Sequence, residues 1–254
     1  MKFRPVITTA FAGSFALALF GPMLPSPALG DSAPTLQPVL VELFTSEGCS
    51  SCPPADQLLR KFDSEQPVAG AELIVLSEHV DYWNQLGWKD PFSSAQFSER
   101  QSEYARIFGG EVYTPELVVD GVKGFTGSNE NAARSAIHEA LGSAKAPIRI
   151  EAQRVSGKAK ITLHMDHPAE GALYLALAHD AMKSQVTRGE NAGRGLAHVA
   201  VVYSLEKIGR IDRKAAVFDR EVIVNVRAGE TTRVVAFVAK PEVGRVVAVG
   251  QARL

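Results

Sequence analysis

The first half of the chain alternates short apolar runs with segments of helical periodicity. Residues 39–44 are apolar apart from Glu42, and residues 72–76 are mostly apolar, as expected of strands buried in a parallel sheet. Between these runs apolar residues recur at helical spacing, and Pro53 and Pro54 are compatible with a helix only in its first turn. The pattern predicts a strand, a turn and a helix, followed by a second strand.

Aromatic and turn-forming residues dominate segment 79–92, which predicts a loop. A helix is expected to start near Ser93 or Ser94, since serine is a common helix cap, and to stop at Gly109-Gly110. Beyond it, Asp120-Gly121 stands between two short apolar runs. This dipeptide in that setting predicts a two-residue β-hairpin.

The periodicity changes in the second half of the chain. A helix with a stripe of small apolar residues is predicted from a cap at Ser128 to Gly142. From about residue 146 only strand-like segments follow, with no long amphipathic helix between them, and this favours a β-sandwich-like domain. The predicted strands are 147–151, 159–164, 172–178, 198–204, 221–226, 232–238 and 245–251.

The N-terminus has the order of features of a secretory signal peptide. Lys2 and Arg4 come first, residues 6–20 are mostly apolar, and Ala28 and Gly30 are the small residues of a cleavage site. Cleavage is expected after Gly30; the alternative is an uncleaved anchor. No later segment approaches the roughly 20 apolar residues of a membrane helix. We expect export to the periplasm or beyond, without stable membrane insertion after cleavage.

The sequence therefore predicts an α/β protein with three parts. These are a signal peptide over 1–30, an α/β domain over 31–145 and a smaller all-β, sandwich-like domain over 146–254. The formal net charge is -1, and no cluster of Lys and Arg interleaved with aromatics occurs. Nucleic acid is therefore not an expected partner.

Both cysteines of the chain stand in one motif, Cys49-Ser50-Ser51-Cys52. The strand, turn and helix pattern predicts Cys49 at the helix N-terminus, where the backbone N–H groups and the macrodipole favour a thiolate and lower the thiol pKa. Cys52, one turn on, would resolve a mixed disulfide. One alternative is a structural disulfide, although so small a loop contributes only about 2 kcal/mol. Another is a zinc knuckle, which usually needs four protein ligands.

A strand, a CxxC motif and a helix, with Thr114-Pro115 later standing directly before a hairpin and a helix, resemble the thioredoxin fold. The resemblance implies that Pro115 is cis and faces the dithiol, and that Thr114 presents its backbone to an extended substrate. The alternative is an ordinary trans proline that opens an edge strand.

The sequence also resembles a narrower family of bacterial secreted proteins, catalogued as the thioredoxin-like domain of unknown function 1223. The resemblance covers nearly the whole chain after the signal peptide and implies the fold without implying a substrate. A Cys-Ser-Ser-Cys motif in place of the Cys-Gly-Pro-Cys of thioredoxin reductants leaves the direction of electron flow open. The matching segments are 43–56, 79–83, 87–92, 113–115, 188–191 and 193–194.

Several residues outside the motif are candidates for the site. His79 is predicted at the carboxyl end of the second strand, where functional groups gather in open α/β sheets. It is a candidate proton acceptor for Cys49, or with both thiolates a Cu(I) ligand; the alternative is a structural histidine. Asp81, Trp83 and Trp88, with Tyr82 beside them, are candidates for a peptide groove, the alternative being burial against the sheet.

Polar residues near the motif and in the second half are weaker candidates. Glu47 or Asp56 can accept a proton from Cys52, the alternative being a solvated acid at a helix start. Residues 189–191 and Arg194 form a polar loop that is a candidate lid over the dithiol or docking site for a partner, the alternative being an ordinary hairpin loop. No role is predicted for the histidines without ligand spacing, which are His138, His164, His167, His179 and His198.

Three functions compete. The first is a thiol–disulfide oxidoreductase that acts on exported protein thiols or disulfides with a redox partner and without a bound cofactor. The second is a Cu(I)-binding or copper-delivery protein that uses Cys49, Cys52 and His79. The third is a non-catalytic recognition module in which the CxxC is a static bridge.

Overall fold

A computed structural model of the chain describes residues 1–3, 5, 36–212, 217–227, 231–240 and 244–254. The chain divides into two units, 1–33 and 34–254, and every element below belongs to the second. The predicted signal peptide and its cleavage site lie almost wholly outside the described residues. In the part of the chain that the structure describes, no helix has the length and apolar character needed to cross a membrane.

The second unit is a mixed α/β structure with a large central sheet and few helices. Its elements are β1 (Gln37–Thr45), α1 (Pro53–Glu65), β2 (Ala71–His79), α2 (Ala95–Phe108), β3 (Glu116–Val119), β4 (Lys123–Thr126), α3 (Glu130–Leu141), β5 (Ala146–Pro147), β6 (Arg149–Val155), β7 (Lys158–Met165), β8 (Gly171–Gln185), β9 (Gly195–Ile211), β10 (Phe218–Asn225), β11 (Thr232–Ala239) and β12 (Val246–Arg253).

The first four strands lie in the order β4-β3-β1-β2. β1 and β2 are parallel, whereas β3 is antiparallel to β1 and β4 is antiparallel to β3. Almost every residue of β1 and β2 is buried, which explains their continuous apolar runs. The sequence prediction of two buried parallel strands followed by a hairpin is confirmed.

Local signals located several element ends correctly. Ser94 caps α2 by accepting a hydrogen bond from the backbone N–H of Gln96, and Gly109 ends it with φ +67°.

Asp120 and Gly121, with φ of 47° and 64°, are the central residues of a tight turn in which the N–H of Val122 donates to the carbonyl oxygen of Val119 at 3.0 Å. Val119 pairs with Lys123, so three residues separate β3 from β4 instead of the two predicted. A positive φ at both central residues is typical of the hairpin turn that Asp-Gly favours.

Two predicted helix starts are wrong. α1 begins at Pro53 with Cys52 as its N-cap, so Cys49 lies one turn before the helix rather than at its start. α3 begins at Glu130, because the side chain of Asn129, and not that of Ser128, accepts from the N–H of Ala132. Asparagine and serine cap helices about equally well, so composition did not separate the two neighbours.

All seven strands predicted after residue 146 are present, but they do not associate as a separate domain. β9 pairs in parallel with β2, with Ser77 opposite Val201, and β8, β11, β12 and β5 follow, giving a sheet of nine strands among the described residues. The division expected at 145/146 therefore falls inside one compact unit. The physical reason is that β2 would otherwise expose a long apolar edge.

A three-stranded sheet, β10-β7-β6, covers one face of this extension. Leu173, Leu175 and Leu177 of β8 face that sheet, whereas Ala176 and Ala178 face the core around the helices. The alternation follows the two-residue period of a strand. The sandwich-like layer predicted for the second half is thus built on strands of the same large sheet that carries the CxxC motif.

The β8–β9 hairpin extends beyond the sandwich toward the CxxC motif. Its ladder ends with Gln185 opposite Gly195, and residues 186–194 form the loop at its tip. The buried side chain of Arg233 on β11 contacts both Asp63 of α1, at 2.5 Å, and Asp180 of β8, at 2.6 Å. These ion pairs join the hairpin to the helix that follows the cysteines.

Candidate functional site

A disulfide joins Cys49 and Cys52 in the turn between β1 and α1. The N–H of Cys49 donates to the carbonyl oxygen of Ser46, and the N–H of Cys52 donates to that of Cys49, at 3.1 and 3.2 Å. The Oγ atom of Ser51 lies 3.3 Å from Cys49 Sγ. Both cysteines are 0% exposed, so the bridge is completely covered in this conformation.

The peptide bond between Thr114 and Pro115 is cis, as the resemblance implied. Trp83 connects this peptide to the CxxC turn: its Nε1 donates to Thr114 Oγ1 at 2.7 Å, and a Cβ added at Gly48 would lie 3.1 Å from the Trp83 Cβ. A Cβ added at Gly127 would lie 3.2 Å both from Pro115 and from Ala55 of α1. The cis proline therefore lies close to the first turn of the helix that carries Cys52.

Loop 186–194 contacts the CxxC turn. The side-chain amide of Asn191 donates to the carbonyl oxygens of Glu47 and Cys49, both at 2.9 Å, and Asn191 is fully buried. The carboxylate of Glu190 accepts from the backbone N–H of Ser50 at 3.2 Å. The polar loop therefore lies against the turn that carries the cysteines, and its role as a lid stays a prediction.

The same loop packs against segment 80–94. Gly189, with φ +76°, lies so close to Trp88 that an added Cβ would be 3.1 Å from the Trp88 Cβ. Trp88 Nε1 in turn donates to Glu47 Oε2 at 2.9 Å. Loop 186–194 is therefore held from two sides, by the CxxC turn and by the tryptophan.

A buried group of acids and histidines lies behind the disulfide. Glu47 is 0% exposed, and its Oε1 lies 3.3 Å from Nε2 of His198 and accepts a hydrogen bond from Ser184. Nδ1 of His198 lies 3.5 Å from Oδ1 of Asp56, a residue of α1 that is 5% exposed. Burial lowers the pKa of His198, but the carboxylates of Asp56 and Glu47 beside the ring outweigh that effect and raise it to about 9.

His79 lies next to this group, between Asp90 and His198. Its Nδ1 is 2.7 Å from Asp90 Oδ2, and its ring centroid is 4.7 Å from that of His198. Burial raises the pKa of Asp90, but His79 and the N–H groups of Glu47 and Phe92 outweigh it, leaving the pKa below its ordinary value. The position predicted for His79 at the end of a strand is confirmed, and its partner is a carboxylate.

The other predicted residues have different surroundings. Asp81 bonds to Ser98 at the start of α2, where Ser98 Oγ donates to it at 2.6 Å. Among the described residues no group of three or more His, Cys, Asp or Glu has a metal-binding arrangement. Copper binding by the two cysteines and His79 stays a prediction.

Two functional candidates come from far along the chain. His198 was assigned no role, yet it lies between Glu47 and Asp56, 151 residues after the former. Ser184 likewise bonds to Glu47 from the opposite strand of the hairpin. No spacing or motif marks either residue, because only the pairing of β9 with β2 brings them to the motif.

A cavity of about 340 Å³ opens beside the buried group. It lies between the first two turns of α1 and the start of β9 and reaches His198 and Asp56. The residues around it are Pro53, Asp56, Gln57, Arg60, Arg194, Gly195, Leu196, Ala197 and His198.

The fold and the site define a mixed α/β protein in which a large sheet carries a covered CxxC disulfide next to a cis proline. The chain belongs to the family described as "Protein of unknown function (DUF1223)", whose sequence profile matches residues 40–239.

The crystal structure of protein AGR_C_4864 from Agrobacterium tumefaciens is similar to this chain. The TM-score is 0.66 at 24% sequence identity, over 86% of this chain and 95% of that one. This likeness shows the fold alone. A putative beta-galactosidase from Bacteroides fragilis aligns with a TM-score of 0.20 at 10% identity, over 44% of this chain and 18% of that one, which carries no argument. No curated protein matches the sequence.

Proposed function

We propose that this protein is an exported thiol–disulfide oxidoreductase whose elements β1 to β4 and α1 to α3 form a thioredoxin-like unit. The observation that carries the proposal is the CxxC disulfide between β1 and α1, with the cis Thr114-Pro115 peptide joined to its turn through Trp83. A static bridge would need neither the cis proline beside it nor the buried acids behind it. Exported protein thiols or disulfides are the proposed substrates.

The proposed reaction is exchange through a mixed disulfide. In the direction of protein reduction, a substrate thiolate attacks Cys49 Sγ, and Cys52 leaves with the electron pair of the broken S–S bond. A second thiol then releases Cys49, so that two thiols become one disulfide while the protein disulfide becomes two thiols. The reverse sequence oxidises the protein and reduces the substrate.

Both cysteines are fully buried, and Asn191 and Glu190 bond to the backbone of the turn that carries them. We therefore expect loop 186–194 to move when a substrate reaches the sulfurs. The loop is closed on itself by backbone hydrogen bonds between Val186 and both Gly193 and Arg194. It can therefore move as a unit about the end of the β8–β9 ladder. A lid of this kind restricts exchange to partners that displace the contacts of Asn191.

Reduction of insulin by dithiothreitol, and reactivation of a protein with scrambled disulfides, test the proposal. We expect the full chain to accelerate one of these reactions and the Cys49→Ala variant to be inactive. A Cys52→Ala variant should accumulate a mixed disulfide at Cys49. Activity no higher than that of Cys49→Ala would overturn the proposal.

The reduction potential of the Cys49–Cys52 bridge decides in which direction electrons flow between this protein and its substrate. A value near about -120 mV would indicate an oxidant, and one near about -270 mV a reductant. A value below about -300 mV would indicate a structural bridge and contradict catalysis.

A further inference from the structure

We propose that His198 is a positioning residue of the dithiol: through Asp56 it supplies the proton that Cys52 takes up when the disulfide opens. This inference rests on the proposed exchange at the CxxC motif. It gives β9, a strand of the second half of the chain, a role in thiol–disulfide exchange at the cysteines of the first half.

The geometry links Cys52, Asp56 and His198 in that order. Cys52 and Asp56 are four residues apart at the start of α1, a spacing that puts two side chains on one helix face, and both are buried. The N–H of Asp56 donates to the carbonyl oxygen of Cys52 at 3.1 Å. On its other side, Asp56 Oδ1 faces Nδ1 of His198 at 3.5 Å.

Both atoms of that facing pair are buried and have no hydrogen-bond partner among the described residues. A separation of 3.5 Å is too long for a good hydrogen bond. An unsatisfied buried polar atom is destabilising, so its presence calls for an explanation. A pair that passes a proton toward Cys52 is such an explanation.

The surroundings of His198 favour its protonated form. Glu47, in the turn after β1, and Asp56, in α1, place two carboxylates beside the ring. The ring centroid of His79 on β2 lies 4.7 Å from that of His198, and His79 in turn contacts Asp90. On β8 the residue opposite His198 is the uncharged Met182. On the open side, Arg60 and Arg194 line the cavity. The two carboxylates outweigh burial and keep His198 an imidazolium at neutral pH.

A cavity beside His198 gives its proton a path to solvent. His198 and Asp56 line this cavity of about 340 Å³ between α1 and β9, together with Arg194 at the end of loop 186–194. A cavity of this size holds several water molecules. His198 can thus recover its proton from solvent.

Reduction of the bridge by an external thiol transfers an electron pair and a proton to Cys52. A thiolate attacks Cys49 Sγ, the S–S bond breaks, and the electron pair goes to Cys52 Sγ. The His198 imidazolium gives its proton to the Asp56 carboxylate, Asp56 passes that proton to the Cys52 thiolate, and neutral His198 is reprotonated by water in the cavity. The attacking thiol is the external reductant and supplies the electrons.

The test follows reduction of the Cys49–Cys52 bridge of the full chain by dithiothreitol, with the rate divided by the thiolate concentration at each pH. For the wild type we expect this corrected rate to fall as pH rises through about 9, where His198 loses its proton. For His198→Gln we expect a corrected rate at neutral pH that is lower by at least about tenfold, with no such fall. The matched control is His164→Gln, since His164 also lies between two aspartates, Asp166 and Asp219, but on β7.

A second variant distinguishes proton supply from a structural role. His198→Gly leaves a gap beside the cavity, and added imidazole should restore the rate with a pH dependence that follows the ionisation of imidazole itself. A wild-type rate and pH profile in His198→Gln, or a lost rate that imidazole does not restore, would overturn the inference. Because the assay follows the protein's own disulfide, it stays valid if the insulin assay fails, which would contradict the proposed function alone.

Discussion

The side-chain amide of Asn191 donates to the carbonyl oxygen of Cys49 at 2.9 Å, and the same nitrogen donates to the carbonyl oxygen of Glu47 at the same distance. A residue of the β8–β9 loop therefore satisfies two backbone carbonyls of the CxxC turn. Its own Oδ1 accepts from Arg194 at 2.8 Å. This buried amide holds the loop on the CxxC turn together with the contact of Glu190 with Ser50 and the packing of Gly189 on Trp88.

Asn191→Ala should open the loop. Loss of the amide leaves two buried carbonyls unsatisfied, at a cost of about 1–3 kcal/mol in the free energy of unfolding. If the closed loop limits the access of dithiothreitol to the disulfide, the reduction rate should rise as the closed form loses stability. The expected increase is about tenfold for each 1.4 kcal/mol of lost stability. The control is Asn131→Ala on the exposed surface of α3. An unchanged reduction rate would show that the loop does not protect the disulfide.

Gly189→Ala should weaken the packing of the same loop on Trp88. Gly189 and Gly193 both have positive φ, of 76° and 81°, so alanine at either costs roughly 1–2 kcal/mol. Only at Gly189 does the new Cβ meet another residue, the Trp88 Cβ at 3.1 Å. We expect Gly189→Ala to lower the free energy of unfolding by about 1 kcal/mol or more beyond Gly193→Ala, measured in urea. Equal losses would mean that the contact relaxes without cost.

Arg100→Met tests the buried charged cluster of Arg100, Glu42 and Glu78. Arg100 donates to Glu42 on β1 at 2.5 and 2.8 Å and lies 3.5 Å from Glu78 on β2, and all three residues are buried. Removal of the guanidinium leaves the buried carboxylate of Glu42 without its cation, at an expected cost of about 3–5 kcal/mol. Replacing Lys123 with alanine removes an exposed ion pair with Glu139 and should cost at most about 1 kcal/mol.

Denaturant titrations of Arg100→Met and the lysine control at neutral pH measure both effects. A loss for Arg100→Met no larger than that of the exposed pair would contradict an energetic role for the cluster.

The pH dependence of stability should report the ion pairs of His198. Its pKa is raised to about 9 in the folded protein, whereas an unfolded histidine has about 6.5. The folded state therefore binds the proton more tightly, and unfolding releases it between these values. The stabilisation from this group is fully present below about pH 6.5 and is lost as pH rises through about 9.

Denaturant titrations across that range compare the wild type with His198→Gln. The difference in the free energy of unfolding between them should shrink as the pH rises. A difference that stays constant would indicate that His198 is neutral in the folded state.

Local structure was predictable wherever a short-range signal dominates. Ser94, Gly109 and the Asp120-Gly121 turn each have a side chain or a backbone preference that decides the conformation of their immediate neighbours. The start of α1 was predicted directly after Cys49 and lies at Pro53, because several conformations of the CxxC turn satisfy the same sequence pattern. That shift moved the N-cap from the first cysteine to the second.

The site was predictable in part. The cysteines, the cis proline and the position of His79 at a strand end followed from the order of elements or from the resemblance. His198 did not, since a histidine in a strand has no signal that identifies its partners. Its place beside His79 follows from the pairing of β9 with β2, which joins residues more than a hundred positions apart.

By itself, the sequence determined the strands, the helices, most of their ends and the CxxC motif, because those features depend on side-chain periodicity and on contacts within a few residues. Only the tertiary structure decided that the second half extends the first sheet, that loop 186–194 contacts the CxxC turn, and that His198 joins Glu47 and Asp56 behind it. Those relationships arise because β9 pairs with β2 and so covers the edge of that strand. Such a pairing depends on residues far apart in the chain, and a local sequence pattern therefore does not predict it.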